Sequence, residues 1–219
     1  GASLHAEYLL QHFASNGWTY TAGALWLRSD MNAVLFSGAH TAINQAVFAQ
    51  ADWKKSQWDV NVGIRWESFQ VDGLQASKPV FRAGSHYAIT PVSHLRASLA
   101  QGFRFPSIAE RFSASAAGAL QVFPNPSLQP ESGWTGEIGY KQLLRKGNFQ
   151  GYVDAAFFWT QFENMLEFTF GKWGNLPGTT LANYGFTSLN VGSTRITGLE
   201  LSAAARAKWG PWIVEGMAG

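Results

Sequence analysis

The strongest constraint on this chain is a period of two that returns, hairpin after hairpin, along nearly its whole length. In 58–68, Trp58, Val60, Val62, Ile64 and Trp66 fall on one side of an extended backbone, and Asp59, Asn61, Gly63, Arg65 and Glu67 on the other. In 149–161, Phe149, Val153, Ala155, Phe157 and Trp159 oppose Gln150, Tyr152, Asp154 and Thr160. In 196–209, Leu199, Leu201, Ala203, Ala205 and Trp209 oppose Glu200, Ser202, Arg206 and Lys208. Side chains alternate across a strand, so each stretch reads as a strand with one apolar and one polar face. The rhythm predicts about ten strands, over 4–13, 18–28, 41–53, 58–69, 79–90, 94–104, 132–144, 149–165, 188–208 and 211–219.

The connections carry a second pattern. Those at 14–17, 54–57, 90–93, 145–148 and Gly210 are tight, whereas 29–40, 70–78, 105–131 and 167–187 are longer. Short and long alternate, as in an up-and-down barrel with short turns at one end and long loops at the other. Alternation alone also suits a soluble antiparallel sheet with its polar face in water. Two details favour lipid. Trp53 and Trp58 flank one tight turn and Trp209 and Trp212 another, where a ring with a polar N–H suits the headgroup level. Several apolar faces also mix Ala, Gly and Leu, which lipid tolerates and a close-packed core does not.

Composition agrees. Charged residues are 14%, against about 25% in an ordinary globular protein. Aromatics are 15%, with Trp 10 and Phe 16, yet no apolar run approaches the roughly 20 residues of a membrane helix. A net charge of +2 with scattered Lys and Arg gives no footprint for nucleic acid. Cysteine is absent, which removes disulfides, thiolate metal sites and cysteine nucleophiles. The first residues lack a basic start and a cleavage site, and there is no initiator Met. The expectation is one partial barrel domain over 1–219, an internal fragment without signal peptide, plug domain or closing strands.

The stretch 94–139 departs from the simple rhythm. It opens as a strand, with Leu95, Ala97, Leu99 and Phe103 on one face and His94, Arg96, Ser98 and Arg104 on the other. It breaks at Pro106, allows one helical turn over 107–112, runs through Pro124, Pro126 and Pro130, and returns as a strand at Trp134. Gly102-Phe103-Arg104-Phe105-Pro106-Ser107 with Glu110 resembles the G-F-R-x-P-S-x-x-E element of TonB-dependent outer-membrane receptors. Asn125, Pro126, Leu128, Pro130 and Glu131, followed by Glu137 and Gly139, resemble that family's N-P-x-L-x-P-E…E-x-G-x-K element. Asn190, Gly192, Arg195, Gly198 and Glu200 are similar to its N-x-G-x-x-R-x-x-G-x-E strand. The tone of the sequence is similar to receptors of the Bacteroidetes group.

The resemblance implies an all-β, antiparallel, transmembrane barrel, about ten strands of one with 22 and a plug in its lumen. It implies residence in the Gram-negative outer membrane, in contact with its lipid. It also implies TonB-coupled uptake of a scarce or large ligand, such as a ferric siderophore, vitamin B12, an oligosaccharide or a peptide. The partners would be the chain's own plug domain and, through it, the TonB–ExbB–ExbD complex. The alternatives are a passive porin and a soluble β-barrel binding protein. The signature residues read as the structural stem of a loop, with Arg104 and Glu137 expected to pair. Ligand contact is expected in the tracts 112–123 and 168–184, with Phe112, Phe123, Trp173 and Tyr184 as candidates. Gly198 is expected where a plug approaches closely.

No catalytic constellation stands out. There is no G-x-S-x-G and no phosphate loop, and none of the five histidines forms a metal-binding helix pair. No cofactor is expected, and the chain does not read as an enzyme. His86 and His94 lie on adjacent polar faces, where they are expected to meet across a hairpin.

Overall fold

The computed structural model describes residues 1–117, 120–177 and 180–219. In chain order the strands are β1 (Ala2–Phe13), β2 (Trp18–Ala33), β3 (Gly38–Lys55), β4 (Trp58–Val71), β5 (Leu74–Thr90) and β6 (Ser93–Arg104). A helical turn, α1 (Ile108–Phe112), precedes β7 (Ser115–Ala117), β8 (Leu120–Val122), β9 (Glu131–Lys146) and β10 (Phe149–Glu163). The chain then runs through β11 (Leu166–Lys172), β12 (Tyr184–Asn190), β13 (Thr194–Trp209) and β14 (Trp212–Ala218). A 10-stranded sheet has the order β1-β2-β3-β4-β5-β6-β9-β10-β13-β14, and a 4-stranded sheet has the order β11-β12-β8-β7. The large sheet is an antiparallel meander, because each of its strands pairs with the next one along the chain.

Register carries the two faces from strand to strand. Tyr20, Ala51, Val62, Ala83, Leu99 and Gly136 form one row from β2 to β9. Ala22, Ala49, Ile64 and Phe81 form the next. Val62, Ile64, Phe81 and Leu99 are 45% to 49% exposed, so none of the described residues covers this face. Such a broad bare apolar surface suits an apolar solvent. On β4 it runs from Trp58 to Trp66 and gives way to Ser68 and Gln70. At about 3.4 Å per residue and a tilt of about 40° that covers roughly 20 Å of membrane normal, close to the ~25 Å apolar band of outer-membrane barrels. At the tight-turn end Trp18 stands against Tyr20 (5.8 Å) and Trp53 (6.1 Å), and Trp58 lies on Tyr87 (4.4 Å). These amphipathic rings line the lower edge of the band.

The other face is polar and knitted. Arg96 Nε reaches Glu137 at 2.8 Å and its Nη1 reaches Asp154 at 2.9 Å. Gly139 makes this possible, since a Cβ there would sit 2.5 Å from the Arg96 guanidinium carbon. His86 Nε2 and His94 Nδ1 do meet, at 3.2 Å. At the long-loop end this inner face carries a small core. Val71, Phe105 and Ile108 are buried, with Phe36, Ala42, Phe69, Leu74, Ala76 and Phe112 packed around them.

The structure corrects several expectations. The connections at 29–40 and 70–78 are not long loops. β2 and β3 extend to a 3-10 turn at Val34–Phe36, and β4 and β5 extend to Asp72 and Gly73. Backbone donors and acceptors need partners whatever the side chains are, so the ladder continues after the outer apolar face stops. The span 167–187 contains a hairpin, β11 with β12, paired from Leu166↔Asn190 to Lys172↔Tyr184. The strand expected over 188–208 is two strands in different sheets, divided at Gly192, whose φ of +89 breaks the extended run. Phe103 does not share a face with Leu99. It meets Phe69 edge-on at 6.0 Å, because the β5–β6 ladder ends at Arg82↔Ala100 and leaves the tip of β6 free to turn inward. Leu99→Arg should therefore cost about 2–4 kcal/mol of folding stability if the site lies near midplane. Reversible unfolding of the complete barrel in lipid measures this, and an unchanged midpoint would place Leu99 away from lipid.

Candidate functional site

The loop after β6 begins with a capped turn. Ser107 Oγ accepts from the Glu110 backbone N–H at 3.2 Å, and Glu110 Oε2 accepts from the Ser107 N–H at 2.8 Å, a reciprocal capping box. Pro106, fully buried, turns the chain into it. Arg104, the last residue of β6, lies opposite Glu131, the first of β9. Its Nε donates to Glu131 Oε1 at 2.6 Å, and its Nη1 donates to Glu110 at 2.8 Å and 3.0 Å. The other Glu131 oxygen accepts from the Leu166 N–H of β11 at 2.9 Å. One guanidinium thus ties the start of the loop, its end and the neighbouring loop. Burial alone would raise the Glu110 carboxyl, but the Ser107 N–H, the Arg104 guanidinium and the Ser107 hydroxyl together hold it below its ordinary value.

The second and third signature stretches meet each other. Asn125 Nδ2 donates to Ser188 O at 3.0 Å, and its Oδ1 accepts from Ser127 N at 3.1 Å. Asn190 Oδ1 accepts from Gln129 N at 2.9 Å, while its Nδ2 donates to Gln129 O (2.9 Å) and Asn164 O (2.8 Å). Leu128 is fully buried between these ties. Pro126 O accepts from Arg111 Nη2 at 2.6 Å, and Arg111 Nη1 donates to Val71 O at 3.0 Å. Pro130 leads directly into β9.

The expected Arg104–Glu137 pair does not form. Register sets Glu137 opposite Ser98, deep in the wall, where Arg96 takes it. Arg195 donates to Gln161 Oε1 at 3.2 Å and 3.1 Å. At Gly198 the Phe158 ring of the neighbouring strand β10 lies 2.5 Å from where a Cβ would stand, which accounts for glycine there within the wall itself. Glu200 is exposed on the polar face and has no ion pair among the described residues. Nothing lies within 4 Å of a Cβ placed on Gly102, and no contact explains glycine there.

Of the expected ligand contacts, Phe112 is committed to packing: its ring stacks on His40 at 3.9 Å and lies in the inner core. Trp173 lies over Gly171 with its indole N–H enclosed and without a hydrogen-bond partner among the described residues. Tyr184 is half-buried in β12, opposite Lys172. Phe123 lines a cavity of about 430 Å³ with Leu35, Glu110, Ser113, Glu167 and Phe168. Beyond it, Phe168 (57% exposed) and Phe170 (55%) flank the Phe186 ring at 5.1 Å and 5.3 Å. Parts of both expected tracts, at 118–119 and 178–179, lie outside the described residues. Sequence reasoning missed His40, Arg111 and Asn183. Asn183 is fully buried, and its side chain pairs with the Leu176 backbone at 2.8 Å and 2.9 Å. Among the described residues no three potential metal ligands gather.

Residues 3–219 match the family model described as TonB dependent receptor-like, beta-barrel. The chain belongs to this family of Gram-negative outer-membrane barrels, which are transporters and not enzymes. No curated protein matches it in sequence. Among solved structures it is similar to the hemophore receptor HasR of Serratia marcescens, at a TM-score of 0.71 and 15% identity, over 99% of this chain and 41% of that one. It is also similar to the copper transporter OprC, at 0.71 and 14%, over 97% and 36%. The ferric enterobactin receptor PfeA of Pseudomonas aeruginosa matches at 0.67 and 15%, over 99% and 35%. These likenesses establish the fold, and the chain spans well under half of each of those proteins.

The long-loop end is therefore the external mouth. Glu131→Gln keeps the shape at the centre of the ties and removes the charge, at a cost of ~1–3 kcal/mol for bonds to an ionised group. Limited proteolysis of the complete barrel should then show faster cutting in both 105–130 and 164–193. Faster cutting in only one of them would mean that Glu131 does not join the two loops.

Proposed function

We propose that this chain forms part of the wall and external mouth of a receptor for TonB-coupled uptake. In this reading the cavity beside α1 and the exposed rings around Phe186 capture a scarce or large ligand. The observation that carries it is the investment of structure at the mouth. Two loops are folded into a helix and a second sheet, and their bases are bonded together by the signature residues, an order that a ligand-binding mouth needs. A cavity of about 430 Å³ falls within the roughly 300–1,000 Å³ of small-molecule sites. Its lining of Phe123 and Phe168, two carboxylates and two hydroxyls offers both stacking and hydrogen bonds. Phe123 is the one expected ligand contact on this lining, while Trp173 and Tyr184 would shape the sheet behind it. The ligand class is a ferric siderophore, vitamin B12, an oligosaccharide or a peptide. The solved relatives that carry haem, copper and ferric enterobactin lend weight to metal-bearing cargo.

A plug domain would occupy the lumen against the Arg96–Glu137–Asp154 wall and would be pulled by TonB with ExbB and ExbD. The domain described would then be one portion of a barrel of about 22 strands. The competing reading is a passive porin. Uptake of a panel of ferric siderophores, haem and cobalamin by cells expressing the complete protein, with and without TonB, separates the two. TonB-dependent uptake of at least one compound is expected. Uptake of every transported compound at equal rates without TonB would overturn the proposal.

A further inference from the structure

At the external mouth one side chain joins three elements without belonging to any signature stretch. His40 lies near the start of β3, beyond the apolar band, with its side chain 12% exposed. Its Nδ1 is 2.7 Å from Asp72 Oδ2 in the β4–β5 turn, and its Nε2 is 2.7 Å from Phe36 O in the 3-10 turn. Both partners are acceptors. A neutral imidazole has one N–H and can satisfy only one of them, whereas an imidazolium donates to both. The ring face meets Phe112 of α1 at 3.9 Å, a contact that a cation on a π-system strengthens.

These contacts bear on the cavity. Leu35, one of its walls, is next to Phe36, and Leu35 O accepts from the Ala114 N–H just past α1 at 2.8 Å. Ala109, Glu110 and Ser113, at the helix, form the facing wall. We infer that His40 is a positioning residue whose protonation holds these two walls together, so that the shape of the external cavity is proton-linked. This rests on the proposed reading of that cavity as the capture site, and names its regulation.

The charged groups around His40 favour its cationic form on balance. Asp72 faces it from the β4–β5 turn, and Asp72 Oδ1 also accepts from the Thr41 N–H at 3.0 Å. Arg111 faces it from α1 and opposes protonation, and Asp30 on β2 accepts from the adjacent Thr41 hydroxyl at 2.7 Å. The hydrogen bond to Asp72, against burial and helped by the Phe36 carbonyl, holds the imidazole above its ordinary value of 6.5. A raised histidine stabilises the latch fully below pH 6.5, and the contribution is lost as pH rises through the raised value.

The test is a nitroxide on Ser115→Cys, just past the latch, in the complete receptor in outer-membrane vesicles, with label mobility followed from about pH 5 to about pH 9. Mobility should rise in a one-proton step with its midpoint above 6.5, and Asp72→Asn should move that midpoint down. His40→Gln, which donates without protonating, should give mobility that does not vary with pH. Invariant mobility in the parent, a step that survives in His40→Gln, or a midpoint that Asp72→Asn leaves in place would overturn the inference. The label reads the wall without any ligand, so a failure of the capture reading would leave this result standing.

Discussion

A single guanidinium carries the external mouth. Arg104 stands where β6 leaves the wall, and its nitrogens are divided between Glu110, which caps the helical turn, and Glu131, which starts the return strand. Glu131 in turn holds the first backbone N–H of β11. Half-exposed ion pairs contribute little singly. The strength here is that one cation satisfies two carboxylates from different segments, while the remaining carboxylate oxygens are taken by backbone and hydroxyl donors. In such a network each bond polarises the next. Asn125 and Asn190 repeat the device with neutral amides: Asn190 clasps the Gln129 backbone of the facing loop with both ends of its side chain, and Asn125 donates to Ser188 O across the gap while its oxygen accepts from Ser127 N of its own loop.

The mouth needs these ties because its own elements are too small to stand. α1 is a helix of 5 residues, and β7 and β8 are strands of 3 residues each. Helices this short are unstable in isolation, and so are small sheets without a face to pack on. The wall is the opposite case. Its long ladders satisfy the backbone continuously, its apolar face needs only lipid, and on its inner face Arg96 pairs with both Glu137 and Asp154. Rigid wall and tied mouth together leave a cavity whose floor is fixed and whose sides depend on a few polar contacts, among them the His40 clasp.

Much of this was legible in the residues. The period of two fixed the wall because each strand of the large sheet keeps one apolar face, as Trp58 to Trp66 does on β4. The paired Trp at the tight turns marked the lower edge of the band. Legibility faded where that face ended. From Ser68 onward the outer positions turn polar, at Gln70, Gln75 and Ser77, while Phe69, Val71 and Ala76 turn into the inner core. The phase of the alternation therefore inverts, and the extension of β4 and β5 to Val71 and Leu74 left no continuous periodic trace. The hairpin of β11 and β12 was hidden for a different reason: a small sheet packed by Phe168, Phe170 and Phe186 reads as an aromatic-rich loop. Pairing was harder still. Arg104 and Glu137 were expected on one face, but register places Glu131, and not Glu137, beside Arg104, and register between strands joined by a long loop is invisible in composition.

The central claim is that the two external loops form one body through Arg104. Nitroxides at Ser127 and Leu181, one in each loop and both exposed, give their separation in the complete receptor by pulsed electron resonance. The account predicts a single narrow distance distribution that broadens when Arg104 is replaced by Ala. A distribution already broad in the parent, or one unchanged by the loss of Arg104, would contradict it.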